Sequence, residues 1–195
     1  MRVLYLHTAK AGGTAVKETL KLSGVDLEHS GVRDTHARLL SIERQWDLTK
    51  VFVVCNKRDP WERCVSYYYH QHNQTNGFGG FCSALERTGQ LKKVFHSWVK
   101  DRLHLKKKRS DHHMFSAWEY ASVSDFVIDY QNMQEDYDRL CDRLGIAKRT
   151  IEVKPHQIGG YTTEYLKHYN EESLNIVADY FIEDIKHLGY NIPRI

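Results

Sequence analysis

The sequence predicts an α/β domain in three layers, a central parallel sheet covered by helices. Val51-Phe52-Val53-Val54-Cys55 is continuously apolar instead of alternating, the pattern of a strand buried on both faces. Val3-Leu4-Tyr5-Leu6 is a similar run, and it ends at a glycine-bearing turn. Helical signals with recognisable caps alternate with these runs, as a parallel sheet requires.

The first strand, Val3–Leu6, leads through Gly12 and Gly13 into a helix that begins near Thr14. The second leads to Asp59-Pro60-Trp61-Glu62, which reads as an N-cap, a proline at the first helical position and a capping-box glutamate. That helix is expected to run through Tyr67 towards His70. Gln71 to Gly80 holds asparagines and glycines and reads as a surface loop. Lys106-Lys107-Lys108-Arg109 reads as a further loop or a helix end, and Phe126-Val127-Ile128 as a third strand. Met133, Tyr137, Leu140, Cys141 and Leu144 form one apolar helix face, which Gly145 can close. Leu174, Val177, Ala178, Phe181 and Ile185 form another. This last helix starts after Asn170, carries Glu171 and Glu172 in its first turn, and stops near Gly189.

A chain of 195 residues fits one domain, residues 1–195, and can bury a core without metal or disulfide staples. Hydrophobic residues at 41% and charged residues at 27% exclude a disordered chain. The net charge of +3 favours an anionic ligand but is too small for a nucleic-acid partner. Cys55, Cys64, Cys82 and Cys141 have neither zinc-knuckle nor redox-pair spacing, so a reducing compartment is the simpler reading. The N-terminus carries no signal-peptide pattern and no window reaches the length of a membrane span. The expectation is a soluble, cytoplasmic protein without a membrane partner.

Two segments carry chemistry. His7 to Lys17 reads HTAKAGGTAVK. A strand that ends in two glycines and a helix start aims backbone N–H groups at one point, and Lys10 adds a positive charge. The nucleotide-binding loop Gly-x-x-x-x-Gly-Lys-Ser/Thr does not fit, because this lysine precedes the glycine pair. The second segment, Asn56 to Tyr69, reads NKRDPWERCVSYYY. Arg58 ends the second strand, and Arg63 and Ser66 lie on one face of the following helix. Arginine offers a planar fork of donors suited to phosphate. A surface pair of Arg58 with Asp59 or Glu62 is the plainer alternative. Both segments follow buried strands, so both should open at the carboxyl end of one sheet, where α/β folds bind ligands.

Lysine-x-Gly-Gly-Thr after a first strand, followed later by Arg-Asp-Pro-x-x-Arg-x-x-Ser-Tyr, resembles the signature of the sulfotransferases that use PAPS (3′-phosphoadenosine 5′-phosphosulfate). The chain is most similar to the carbohydrate branch, the heparan-sulfate 2-O and Golgi-type enzymes. Asp34-Thr35-His36-Ala37 is similar to that family's histidine segment, and Asp125–Asp136 and the segment ending at Tyr190 to its later elements. The resemblance implies a P-loop-NTPase-like three-layer fold and transfer of a sulfuryl group from PAPS to an acceptor hydroxyl, with release of PAP. It implies that Lys10 contacts the phosphosulfate and that Lys10, Ala11, Gly12, Gly13, Thr14 and Ala15 cradle the 5′-phosphate. It implies that Arg58 and Ser66 hold the 3′-phosphate and that His36 is the base for the acceptor proton. It also implies that no metal is needed, since Lys10, the loop N–H groups and the helix dipole neutralise the leaving charge. Ala9, Ala11 and Ala15 stand where the family has proline, threonine and serine, and Asp129-Tyr130-Gln131 where it has arginine-phenylalanine-glutamate.

The branch likeness favours a carbohydrate hydroxyl as acceptor, with a small natural-product alcohol next. The alternatives are an ATP-dependent phosphoryl transferase and an inactive nucleotide-binding module. His7 matches a family position and reads as a packing or loop-orienting residue. His112 and His113 are reserve candidates for the base or for acceptor contact. His70-Gln71-His72 and Asp111-His112-His113 lack partners at metal-ligand spacing. Lys106–Arg109 reads as a solvated strip, or as a docking strip if the acceptor is anionic.

Overall fold

The computed structural model describes residues 2–29, 39–76, 85, 87–104, 114–152 and 164–195. The chain divides into two compact units, each built from two stretches of sequence. One comprises Met1–Arg58 and Asp111–Lys154, the other Asp59–Ser110 and Pro155–Ile195.

The first unit holds a parallel sheet of β1 (Val3–Leu6), β2 (Leu27–His29), β3 (Phe52–Lys57) and β4 (Phe126–Asp129), in the order β2-β1-β3-β4. Its helices are α1 (Gly13–Leu22), α2 (Leu39–Glu43), α5 (Ala117–Ala121) and α6 (Met133–Leu144). Val3, Tyr5, Val54 and Ile128 form one core with Val16 and Leu20 of α1 and with Met133, Tyr137, Leu140 and Cys141 of α6. Their strand neighbours Leu4, Leu6, Val53 and Cys55 are also buried. Burial of both sets is the physical reason the runs are continuous rather than alternating.

The three expected strands are present. The second is displaced to Phe52–Lys57, so Asn56 and Lys57 extend the ladder and pair with Ile128 and Asp129. Strand β2 was not expected: it is short and begins with its single apolar residue. Helix α6 closes at Gly145, which takes φ +66°, as its position predicts.

The strand order places β1 between β2 and β3. The chain leaves β1 towards one edge and returns to β3 on the other side. The crevice at the carboxyl ends of β1 and β3 is therefore a topological switch point, the place where open α/β sheets bind ligands.

The second unit is helical among its described residues: α3 (Pro60–Asn76), α4 (Leu91–Val99, continued by a π turn over Lys100–His104), α7 (Glu171–Tyr180) and α8 (Ile182–Leu188). Asp59 caps α3, its Oδ1 accepting from Trp61 N at 3.0 Å and Glu62 N at 2.9 Å. Trp61, Tyr68, Phe95, Tyr169 and Phe181 fill the core. Tyr67, Tyr68 and Tyr69 are all buried, and the Tyr68 ring meets Phe95 edge-on at 5.1 Å.

Two expectations change in this unit. Helix α3 continues to Asn76, so Gln71–Asn76 is helical and not loop. Gln71 donates to Tyr67 Oη at 2.7 Å and accepts from Trp98 Nε1 at 2.8 Å, and no glycine intervenes before Gly77. The C-terminal helix is interrupted at Phe181. Past the break Asp184, not Ile185, is the fully buried residue, and it faces the buried Arg63 at 3.7 Å. The Asn170 cap is present, with Oδ1 accepting from Ser173 N at 2.8 Å.

Candidate functional site

The loop between β1 and α1 has two residues in the left-handed region, Lys10 at φ +62° and Gly12 at φ +79°. For a non-glycine such as Lys10 this conformation costs about 1–2 kcal/mol. Left-handed residues interleaved in a loop turn successive N–H groups into an anion-binding concavity. A Cβ on Gly12 would push aside the Met133 methyl, 2.5 Å away, and press on the Tyr130 ring at 3.1 Å, but the positive φ is the firmer demand for glycine. Gly12 caps α1 without a side-chain acceptor, and the first-turn N–H groups of Gly13 and Thr14 have no intrahelical partner. Those donors and the positive end of the helix dipole give the loop the chemistry of an anion site.

Arg58 follows β3 and is buried. Its Nη1 donates to the Lys10 carbonyl at 2.9 Å, and its guanidinium lies 3.9 Å from the centre of the Tyr130 ring. The expected neighbourhood of Arg58 with the glycine loop is therefore present, and Tyr130 from the end of β4 completes it. Partial burial and then the Arg58 charge lower the Lys10 ammonium to about 8. The Lys10 ammonium is thus largely withdrawn from water and feels the positive charge of the buried Arg58, a combination that an anion would offset.

Ala11 is buried and Ala15 packs against the core, whereas Thr14 is exposed. Thr8 is 1% exposed, and its Oγ1 has no hydrogen-bond partner among the described residues. His7 lies against Gly13, where a Cβ would come within 3.1 Å of its Cδ2.

Ser66 lies on α3 in the second unit and is buried. Arg63 belongs to the same unit, where it pairs with Asp184 and stacks 4.8 Å from the Phe181 ring. His36, His112, His113 and Lys106–Arg109 lie outside the described residues. Among the described residues no three His, Cys, Asp or Glu side chains converge on a point. No described helix is long and apolar enough to cross a membrane.

Sequence reasoning missed Tyr5, Asn56 and Tyr130. Asn56 was the available signal, an amide directly after the apolar run Val51–Cys55. Comparison of the chain with family models, with curated proteins and with solved structures gives no match.

Proposed function

We propose that the chain is a PAPS-dependent sulfotransferase acting on an acceptor hydroxyl, with the β1–α1 loop as a P-loop-like phosphosulfate site. The observation that carries this reading is the meeting of Lys10, the open N–H groups of Gly13 and Thr14, and Arg58 at the carboxyl ends of β1 and β3. In the reaction the acceptor oxygen attacks sulfur and the bond from sulfur to the bridging phosphate oxygen breaks. The sulfuryl group moves to the acceptor, the acceptor proton goes to a base, and negative charge collects on the phosphate of PAP. Lys10 and the loop N–H groups stand where they can stabilise that charge. His36 is the proposed base, with the acceptor a sugar or a small natural-product alcohol. Arg58 and Ser66 are the proposed 3′-phosphate contacts. The buried free thiols of Cys55, Cys64 and Cys141 support a reducing, cytoplasmic setting.

The deciding experiment is incubation with PAPS and a panel of sugar and small-alcohol acceptors, following PAP release and product mass. PAP release with an acceptor gaining the mass of a sulfuryl group supports the reading. Phosphoryl transfer from ATP in the same panel, without any PAP release, would replace it with the kinase reading.

A further inference from the structure

Asn56 is an amide with 0% exposure on a strand whose other core positions are apolar. Burial of an amide is costly unless both its ends are bonded. Here both are. Its Nδ2 donates to the Ala11 carbonyl at 3.2 Å, and its Oδ1 accepts a hydrogen bond from the Tyr5 hydroxyl. Tyr5 is itself fully buried on β1, and its hydroxyl lies directly under the start of α1, 3.0 Å from where a Gly13 Cβ would be.

The bond to Ala11 has a directional consequence. No peptide in the described chain is cis. In a trans peptide the carbonyl and the following N–H point in opposite directions. With the Ala11 carbonyl turned to Asn56, the Gly12 N–H points away from β3. Arg58, two residues further along, holds the neighbouring Lys10 carbonyl at 2.9 Å. The carbonyls of two successive loop peptides, Lys10–Ala11 and Ala11–Gly12, are thus tied to the end of β3 and the residue just past it.

We infer that Asn56, held by Tyr5, is a positioning residue that prevents the Ala11–Gly12 peptide from flipping and so maintains the loop backbone that carries Lys10 in its left-handed conformation. Its consequence for catalysis rests on the sulfotransferase reading; the loop geometry does not.

The test uses the whole chain with two variants, Asn56→Leu, which deletes both bonds, and Tyr5→Phe, which deletes one hydroxyl. Lys10 is followed without any donor, by carbon NMR of the reductively methylated amine across pH, and the loop by amide hydrogen exchange. Both variants should move the Lys10 midpoint upward from about 8 towards the ordinary lysine range, as the side chain escapes to water. The amides of Ala11, Ala15 and Val16, which donate to the Thr8 and Gly12 carbonyls, should exchange roughly tenfold faster or more, the scale of one net hydrogen bond, while β1 amides stay slow. An unchanged Lys10 midpoint or unchanged loop exchange in folded Tyr5→Phe overturns the inference, whether or not Asn56→Leu folds. PAP titration of the same samples separates the two readings. A loop that loosens as expected in a protein that never binds PAP keeps Asn56 in this role and removes the sulfotransferase.

Discussion

Lys10 brings together the strain, the charge and the chemistry of the site. Its amine is lowered to about 8 by burial and by Arg58, so the free protein is partly deprotonated there just above neutrality. An anionic ligand binds the protonated form. Affinity for PAP should therefore be level below about pH 8 and fall above it, with proton uptake on binding near that pH. Calorimetry in buffers of different ionisation enthalpy measures both, and a pH-independent affinity between 7 and 9.5 would remove Lys10 from the site. The same shift has an opposite sign for stability. Between about 8 and the ordinary lysine value the unfolded chain binds the extra proton, so the Lys10 contribution to stability rises with pH across that window. Arg58 makes a second residue-scale test. Arg58→Ala removes a charge-assisted donor worth about 1.5–3 kcal/mol and should raise the PAPS KM roughly ten- to a hundredfold. Arg58→Lys keeps the charge, but it loses the fork and the stacking on Tyr130, so it should recover only part of the loss. Full recovery by lysine would mean that charge alone is read.

At the scale of elements, what was legible in the sequence was what a few adjacent residues decide. The Asp59 cap, the Gly145 stop and the Asn170 cap are local devices, and each stands where the chain predicted it. Helix α4 escaped notice although Leu91, Phe95 and Val99 recur at helical spacing and are buried. The break at Phe181 was not legible, because its partner Arg63 lies far away in the sequence. Tyr5 and Asn56 were missed for the same reason: they are 51 residues apart and meet only because β1 and β3 are neighbours. The Arg63–Asp184 pair gives the prediction at this scale. Both side chains are almost fully buried, so removing one leaves a charge in the core of the second unit. Asp184→Leu should destabilise by about 3–5 kcal/mol in urea titration. Arg63→Met added to it should restore much of that loss, because an apolar pair no longer carries a buried charge. If the double variant is no more stable than Asp184→Leu, the pair is not the source of the cost.

For the whole molecule, the strand order matters more than any single contact. It brings the ends of β1, β3 and β4 side by side, so residues 10, 58 and 130 become neighbours in one unit. A ligand that uses this arrangement binds only the folded chain and must raise its melting temperature. At a concentration of PAP a hundred times its Kd the gain is about 2.7 kcal/mol. For a chain of this length each kcal/mol moves the midpoint by about 2–4 °C, so a rise on the order of 5–10 °C is expected. ATP and AMP offer phosphates to the loop but lack the 3′-phosphate proposed for Arg58 and Ser66. At the same concentration they should shift the midpoint clearly less, and added Mg²⁺ should not close the gap. Calorimetric scans also resolve whether the two units melt together; if they separate, the rise belongs to the transition of the unit that holds Lys10 and Arg58, and it should be smaller in an Arg58→Ala variant. Equal shifts from PAP, ATP and AMP would mean that the switch-point crevice reads a phosphate without reading PAPS. The phosphoryl-transferase and inactive-module alternatives would then stand ahead of the sulfotransferase.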